Sequence, residues 1–177
     1  MKKRKVSFKQ VFKEIISTVV LALIIALLII KFIGSTTIVD GISMEPTLKT
    51  NDFILVNRIG FLLGDLEPGD IIQFHSPNNK KKDFIKRVIA VEGDTVEIKN
   101  NRVFVNGNEL VENYTMTKGI TGYKDEKHWE IGKDEVFVLG DNRDYSNDSR
   151  TFGPIKKDSI VGIAFLRIYP FKEIKKF

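Results

Sequence analysis

Three stretches of this sequence carry residue types that together could break a peptide bond. The first is Gly41-Ile42-Ser43-Met44-Glu45-Pro46-Thr47-Leu48. Gly41 permits close backbone approach and Pro46 fixes a turn just after Ser43. A serine beside a proline is ordinarily only a turn residue; it becomes a nucleophile when a neighbour takes its proton. The second stretch is Asp83-Phe84-Ile85-Lys86-Arg87-Val88-Ile89-Ala90-Val91. A strand period of two sets Lys86 on the face of Phe84 and Val88. A lysine wedged among apolar neighbours loses hydration, which disfavours its charged form and lowers its pKa toward that of a useful base. The competing reading is a lysine at a sheet edge with its ammonium in water. Arg87 cannot serve as the base, because a guanidinium does not deprotonate in a protein.

The third stretch, Gly140-Asp141-Asn142-Arg143-Asp144-Tyr145-Ser146-Asn147-Asp148-Ser149-Arg150, packs three Asp, two Arg, two Ser and two Asn directly after the apolar run Val136 to Leu139. A solvated loop explains such polarity. Alternating carboxylates and guanidiniums can also form a rigid bidentate network that orients a neighbouring base. A Ser-Lys pair is one recognised solution to serine activation. The histidine version has only His75 and His128 to draw on, and neither stands in a distinctive setting. The chain has no cysteine, which removes thiol nucleophiles, thiolate metal sites and disulfides together.

These residues need elements to hold them. The run from Ile15 to Ile33 is uncharged except for Lys31, whose long stem can snorkel, and Leu, Ile, Val and Ala fill nearly every position. About 19 helical residues reach roughly 28 Å, close to the hydrocarbon thickness of a bilayer. The pattern predicts a transmembrane anchor over 15–33 after a basic cytoplasmic segment over 1–14, with an extracytoplasmic catalytic domain over 34–177. A cleavable leader fits less well, since the run is long and Gly34-Ser35-Thr36-Thr37 offers no good cleavage site. Lys2, Lys3, Arg4, Lys5, Lys9 and Lys13 at one end, and Lys172, Lys175 and Lys176 at the other, suit an anionic lipid surface. No nucleic-acid-binding pattern accompanies them, so no nucleic-acid partner is expected.

Beyond Ile38 the sequence breaks into short alternating runs. Phe53–Val56, Ile71–Phe74, Phe84–Val91, Val96–Ile98, Arg102–Val105, Val136–Leu139 and Ile160–Ile168 are predicted strands. Asn100-Asn101 and Asn106-Gly107 supply positive φ between them, and Pro68-Gly69-Asp70 and Ser76-Pro77-Asn78-Asn79 mark further turns. The expected fold is mainly β: an antiparallel catalytic sheet with a small β-rich insertion over about 95–134, preceded by one transmembrane helix. Phe61-Leu62-Leu63 is an apolar cluster in a loop, suited to core packing or to dipping into a membrane surface.

In this order along the chain, the anchor and Ser43-Met44-Glu45-Pro46-Thr47-Leu48 are followed by Gly69-Asp70-Ile71-Ile72-Gln73-Phe74, Lys86 to Asp94 and Gly140 to Arg150. That series resembles the type I signal peptidases, the bacterial leader peptidases, in their shorter Gram-positive-like form. The resemblance implies Ser43 as nucleophile and Lys86 as general base. It implies that Ser146 holds the lysine amine, that Asp148 supports that region by pairing with Arg150, and that Asp141 pairs with Arg87. It also implies cleavage of exported preproteins after small residues at −1 and −3, with Ile42, Met44 and Phe84 as candidate pocket walls. Neither a cofactor nor a metal is implied, and the oligomeric state stays open. Some members of the family place a hydroxyl residue two positions before the nucleophile, where this chain has Gly41. A self-cleaving repressor-type peptidase also uses a Ser-Lys pair but is soluble and carries a DNA-binding domain. The reading from a different class is a catalytically inactive, membrane-tethered β-domain that binds peptides.

Overall fold

The computed structural model describes residues 8–59, 64–118, 120–121 and 126–177, with 8 and 26–34 as backbone only. Helix α1 (Phe8–Ile33) leads into β1 (Gly34–Ile38), β2 (Phe53–Asn57), β3 (Ile71–Ser76) and β4 (Asn79–Val91). A second group follows: β5 (Thr95–Lys99), β6 (Arg102–Val105), β7 (Asn108–Glu109) and β8 (Lys127–Glu130). The chain then returns through β9 (Glu135–Leu139), the short helix α2 (Ser149–Phe152), β10 (Ile155–Lys156), β11 (Ile160–Tyr169) and β12 (Lys175–Lys176). The main sheet is antiparallel in the order β1-β2-β11-β3-β4-β9-β10 with β12 on β11, and the smaller sheet runs β7-β6-β5-β8.

Period-two alternation sorts the core. Along β9, Val136 and Val138 join Ile72, Phe74 and Val88 on one face, while Phe137 and Leu139 join Ile89, Val96, Val103 and Ile131 on the other. The second cluster contains residues of both sheets, so β9 is covered on both faces and reads as a continuous apolar run. Ile54, Val56 and Ile71 build a third cluster with Met44 and Leu48, which pins the chain between β1 and β2. The predicted asparagine turns are where the spacing places them: Asn100 (φ 49°), Asn101 (φ 63°) and Asn106 (φ 51°) join β5, β6 and β7.

The predicted anchor needs correction. The helix starts at Phe8 rather than Ile15 and takes in Lys9, Lys13 and Glu14. Among the described residues, no helix is long and apolar enough to cross a membrane. Lysine and glutamate are good helix formers; their charges bar a hydrocarbon interior without stopping a helix. Strands β1, β7, β8, β10 and β12 were not foreseen; Gly34-Ser35-Thr36-Thr37 and Lys127-His128-Trp129-Glu130, for example, carry no apolar alternation and owe their pairing to neighbours. β4 also begins at Asn79 rather than Phe84, extending through Lys80, Lys81 and Lys82. Lys2–Lys5 and the cluster Phe61–Leu63 lie outside the described residues.

Phe137 is fully buried, 4.8 Å from the ring of Trp129, where the two sheets meet. Phe137→Ala should therefore lower stability by about 3–5 kcal/mol. Urea unfolding followed by the fluorescence of Trp129, the chain's only tryptophan, measures this. A loss under about 1 kcal/mol would mean that the small sheet does not seal this face.

Candidate active site

Ser43 stands on the turn between β1 and β2. Gly41 adopts φ 102°, a conformation that L side chains rarely take, and this turns the chain over. Glu45 N–H donates to Ile42 O (3.1 Å) and Leu48 N–H to Met44 O (2.9 Å). Val39 before the serine and Met44 and Leu48 after it bury almost completely, so the turn is nailed to the core on both sides.

Lys86 comes from β4 and is 4% exposed. Its Nζ lies 2.7 Å from Ser43 Oγ, donates to Ile85 O at 2.9 Å and sits 5.4 Å from the centre of the Phe84 ring. Burial pushes its pKa down from 10.5 to about 8; Asp148 and Asp141 pull the other way, and Arg150 adds to the depression. The amine is thus neutral for a usable fraction of the time near neutral pH.

The third stretch, leaving β9 at Gly140, closes over the back of this pair. Register places Arg87 opposite Leu139, so the chain emerges beside the lysine. Asn142 N–H donates to Ser43 O (3.0 Å) and Asn142 Nδ2 to Ile42 O (3.1 Å), gripping the serine turn from behind. A Cβ at Gly140 would stand 2.5 Å from Ser43 O and collide with Ser146 Oγ, so the contact requires glycine. Asp148 accepts from Gly140 N–H (3.0 Å) and from Arg150 Nε and Nη2 (2.8 Å each), and its side chain caps α2. Asp141 takes a bidentate grip from Arg87, 2.9 Å from Nε and 2.7 Å from Nη2, and accepts from Thr47 Oγ1 at 2.5 Å.

Ser146 behaves differently from what the resemblance implies. Its Oγ is buried with no hydrogen-bond partner, and the lysine amine is held by Ser43 and Ile85 instead. Three residues that sequence reasoning passed over complete the framework. Arg143 donates through Nε to Gly140 O (3.0 Å) and through Nη1 to Glu112 Oε2 (2.7 Å), with a second contact from Nη2 to Glu112 Oε1. Thr47 bridges the serine turn to Asp141. Arg143 lay in plain view within the polar stretch, whereas no local pattern marks Glu112 as its partner. His75 and His128 are half-exposed and lie against Asp83 and Glu97 respectively.

A groove of about 390 Å³ opens beside Ser43 and Lys86. The segment from Thr37 to Met44 forms one wall, and Asp83 to Lys86 with Gln73 the other, with Tyr145 and Asn147 at its end. Ile42 is exposed there and Phe84 half-buried, while Met44 belongs mainly to the core. Beyond the start of its pairing with β9 at Arg87, the stretch of β4 from Asp83 to Lys86 is paired only with β3. One edge of that stretch is therefore open to an extended peptide. Among the described residues, no group of three or more His, Asp or Glu side chains converges as for a metal ion.

The chain is similar to known proteins along most of its length. Residues 12–169 match the family described as signal peptidase, peptidase S26. The chain is 44% identical over 160 residues to signal peptidase IB of Staphylococcus aureus, covering 82% of this chain and 83% of that protein. It is 37% identical over 153 residues to signal peptidase I of Bacillus caldolyticus, covering 80% and 83%. The crystal structure of a signal peptidase I from Enterococcus faecalis V583 aligns with a TM-score of 0.47 at 31% identity, over 56% of this chain and 97% of that one. With a family match running from α1 to the end of β11, the chain belongs to the signal peptidase family, peptidase S26.

Proposed function

We propose that this chain is a membrane-bound endopeptidase that removes signal peptides from exported preproteins, with Ser43 as nucleophile and Lys86 as general base. The observation that carries this reading is the 2.7 Å approach of a nearly buried amine to the serine hydroxyl. The neutral Lys86 amine accepts the Ser43 proton as Oγ attacks the scissile carbonyl. The resulting ammonium then protonates the amine of the departing mature protein. A water deprotonated by the same lysine hydrolyses the ester and frees the signal peptide. The Ser43 backbone N–H has no acceptor among the described residues and is available to the oxyanion. Gly41 brings no hydroxyl to help it, so stabilisation there falls to the backbone.

The open stretch from Asp83 to Lys86 and the segment from Thr37 to Met44 supply the two sides of a slot for an extended peptide. Alternate side chains of such a peptide point into the groove, whose small volume favours the small residues at −1 and −3 that the resemblance implies. Ile42 and Phe84 are its apolar walls. Helix α1, apolar over 15–33, is read as the anchor that holds the groove at a lipid surface with the catalytic domain outside. A protease added to intact spheroplasts should then digest the C-terminal domain; complete protection would reverse this orientation.

Ser43→Ala should lower preprotein processing by at least about 10⁴-fold while the protein stays folded. Lys86→Arg should be as inactive as Lys86→Ala, because a permanent cation accepts no proton. Sequencing of the product N-termini identifies the bond cut. Processing by Ser43→Ala at the wild-type rate would refute Ser43 as the nucleophile, and a wild type that binds but does not cleave would leave the peptide-binding reading in its place.

The pH dependence follows from the sign of the lysine shift. The active form is the neutral amine, so kcat/KM should fall about tenfold per unit as pH drops well below the lowered pKa, and level off above it. The half-maximal point is expected near pH 8. A flat profile between about pH 6 and about pH 10 would remove Lys86 from the role of base.

A further inference from the structure

Gln73 is a polar residue in the wall of the substrate groove with one half of its amide unused. It is 6% exposed, and its Nε2 donates to Asp83 Oδ2 at 2.7 Å. Asp83 Oδ1 is in turn engaged by His75 Nδ1 at 2.7 Å. A carboxylate accepts and does not donate, so Asp83 forces the amide NH₂ toward itself and fixes which way the amide points. The Gln73 Oε1 is thereby left buried with no partner. A buried acceptor without a donor is costly, and natural interiors rarely leave one unless something arrives to use it.

Resting on the reading of the groove as the peptide slot, we infer that Gln73 selects a hydroxyl-bearing small residue, serine or threonine, at one of the substrate positions that face the groove. Gln73 lies on β3 opposite Ile85, one strand inward from the open edge of β4. The main chain of a bound peptide is met by that edge, so the group that reaches Gln73 is a side chain pointing into the wall. Oε1 is covered, so a donor reaches it only as the Gln73 side chain or its cover shifts, and a groove of about 390 Å³ leaves room for a small donor there. It is neutral rather than cationic, because an ammonium driven into this wall would lose its hydration while both Asp83 oxygens are already engaged. A hydroxyl satisfies both conditions. A site with a prepared acceptor then discriminates against the analogue that lacks the donor.

The test uses the full chain in detergent and a series of preproteins in which each residue from −1 to −4 is in turn alanine or serine, all else equal. The quantity read is the ratio of kcat/KM for the serine over the alanine substrate. The wild type should show a ratio of about five or more at one position, and Gln73→Leu should bring that ratio to about one. A wild-type ratio of one or less at every position overturns the inference without any variant being needed. So does a Gln73→Leu enzyme that keeps the wild-type ratio, or one that slows both substrates equally, since the oxygen would then be serving a water or the peptide main chain. Should Gln73→Leu fail to fold, Gln73→Met carries the same comparison. Ser43→Ala separates the two levels: cleavage that survives it defeats the dyad, whereas Ser43-dependent cleavage with a flat ratio defeats only the role of Gln73.

Discussion

Keeping a lysine amine out of water is the constraint around which this molecule is organised. Burial of Lys86 costs free energy that grows if the amine is charged, and that penalty is the source of its basicity near neutral pH. The same penalty makes the site vulnerable to nearby carboxylates. Asp148 and Asp141 both raise the lysine pKa, against the larger effect of burial. Each is gripped by a guanidinium, Asp148 by Arg150 and Asp141 by Arg87. Arg150 also opposes the acids directly, by lowering the lysine pKa. The acids can therefore act as rigid hydrogen-bond acceptors for Gly140 and Thr47 while Arg150 offsets part of their effect on the amine.

The pair of reacting atoms is assembled from segments far apart in sequence, and strand register makes the assembly possible. Ser43 is delivered by a turn whose flanks, Val39 on one side and Met44 and Leu48 on the other, are core residues. Lys86 precedes Arg87, whose register partner Leu139 is the last residue of β9. The polar stretch from Gly140 must consequently start within reach of both. Gly140 then allows a backbone approach that any Cβ would block, with Ser43 O on one side and Ser146 on the other. Sheet order thus does the long-range placing, and one glycine and one asparagine do the final fitting.

Sequence reading reached the parts of this design that depend on local pattern. Alternation located the seven predicted strands, because Val136 to Leu139 and Phe53 to Val56 need only period two and burial. Type and setting made Ser43 and Lys86 candidates while leaving a turn serine and a sheet-edge lysine open; the resemblance singled them out and named the pairings of Asp148 with Arg150 and Asp141 with Arg87, which are ion pairs in the structure. Glu112 was invisible for the opposite reason: it is a lone acid in Leu110-Val111-Glu112-Asn113, and only its position beneath the third stretch makes it the partner of Arg143. The partners of the Lys86 amine also escaped local reasoning. A hydroxyl such as that of Ser146 and a carbonyl such as that of Ile85 both accept from an ammonium, and only the packed geometry chooses between them.

The small sheet belongs to the active site through this same hidden chemistry. Glu112 follows β7, and Thr121 lies before β8. Glu112 satisfies the fully buried Arg143, while the carbonyl of Thr121 receives Arg150. Arg143 and Arg150 both belong to the stretch that backs Ser43 and Lys86. Stripping one partner from a buried ion pair typically costs about 3–5 kcal/mol, because the remaining charge has no water to turn to. A chain lacking the segment between Leu110 and Thr121 would therefore leave the Arg143 guanidinium without its carboxylate behind Ser43 and take one acceptor from Arg150, which keeps Asp148. The stretch from Gly140 to Arg150 could then relieve Arg143 only by opening to solvent. Opening would wet Lys86, and a hydrated lysine is a cation with no use for the proton of Ser43.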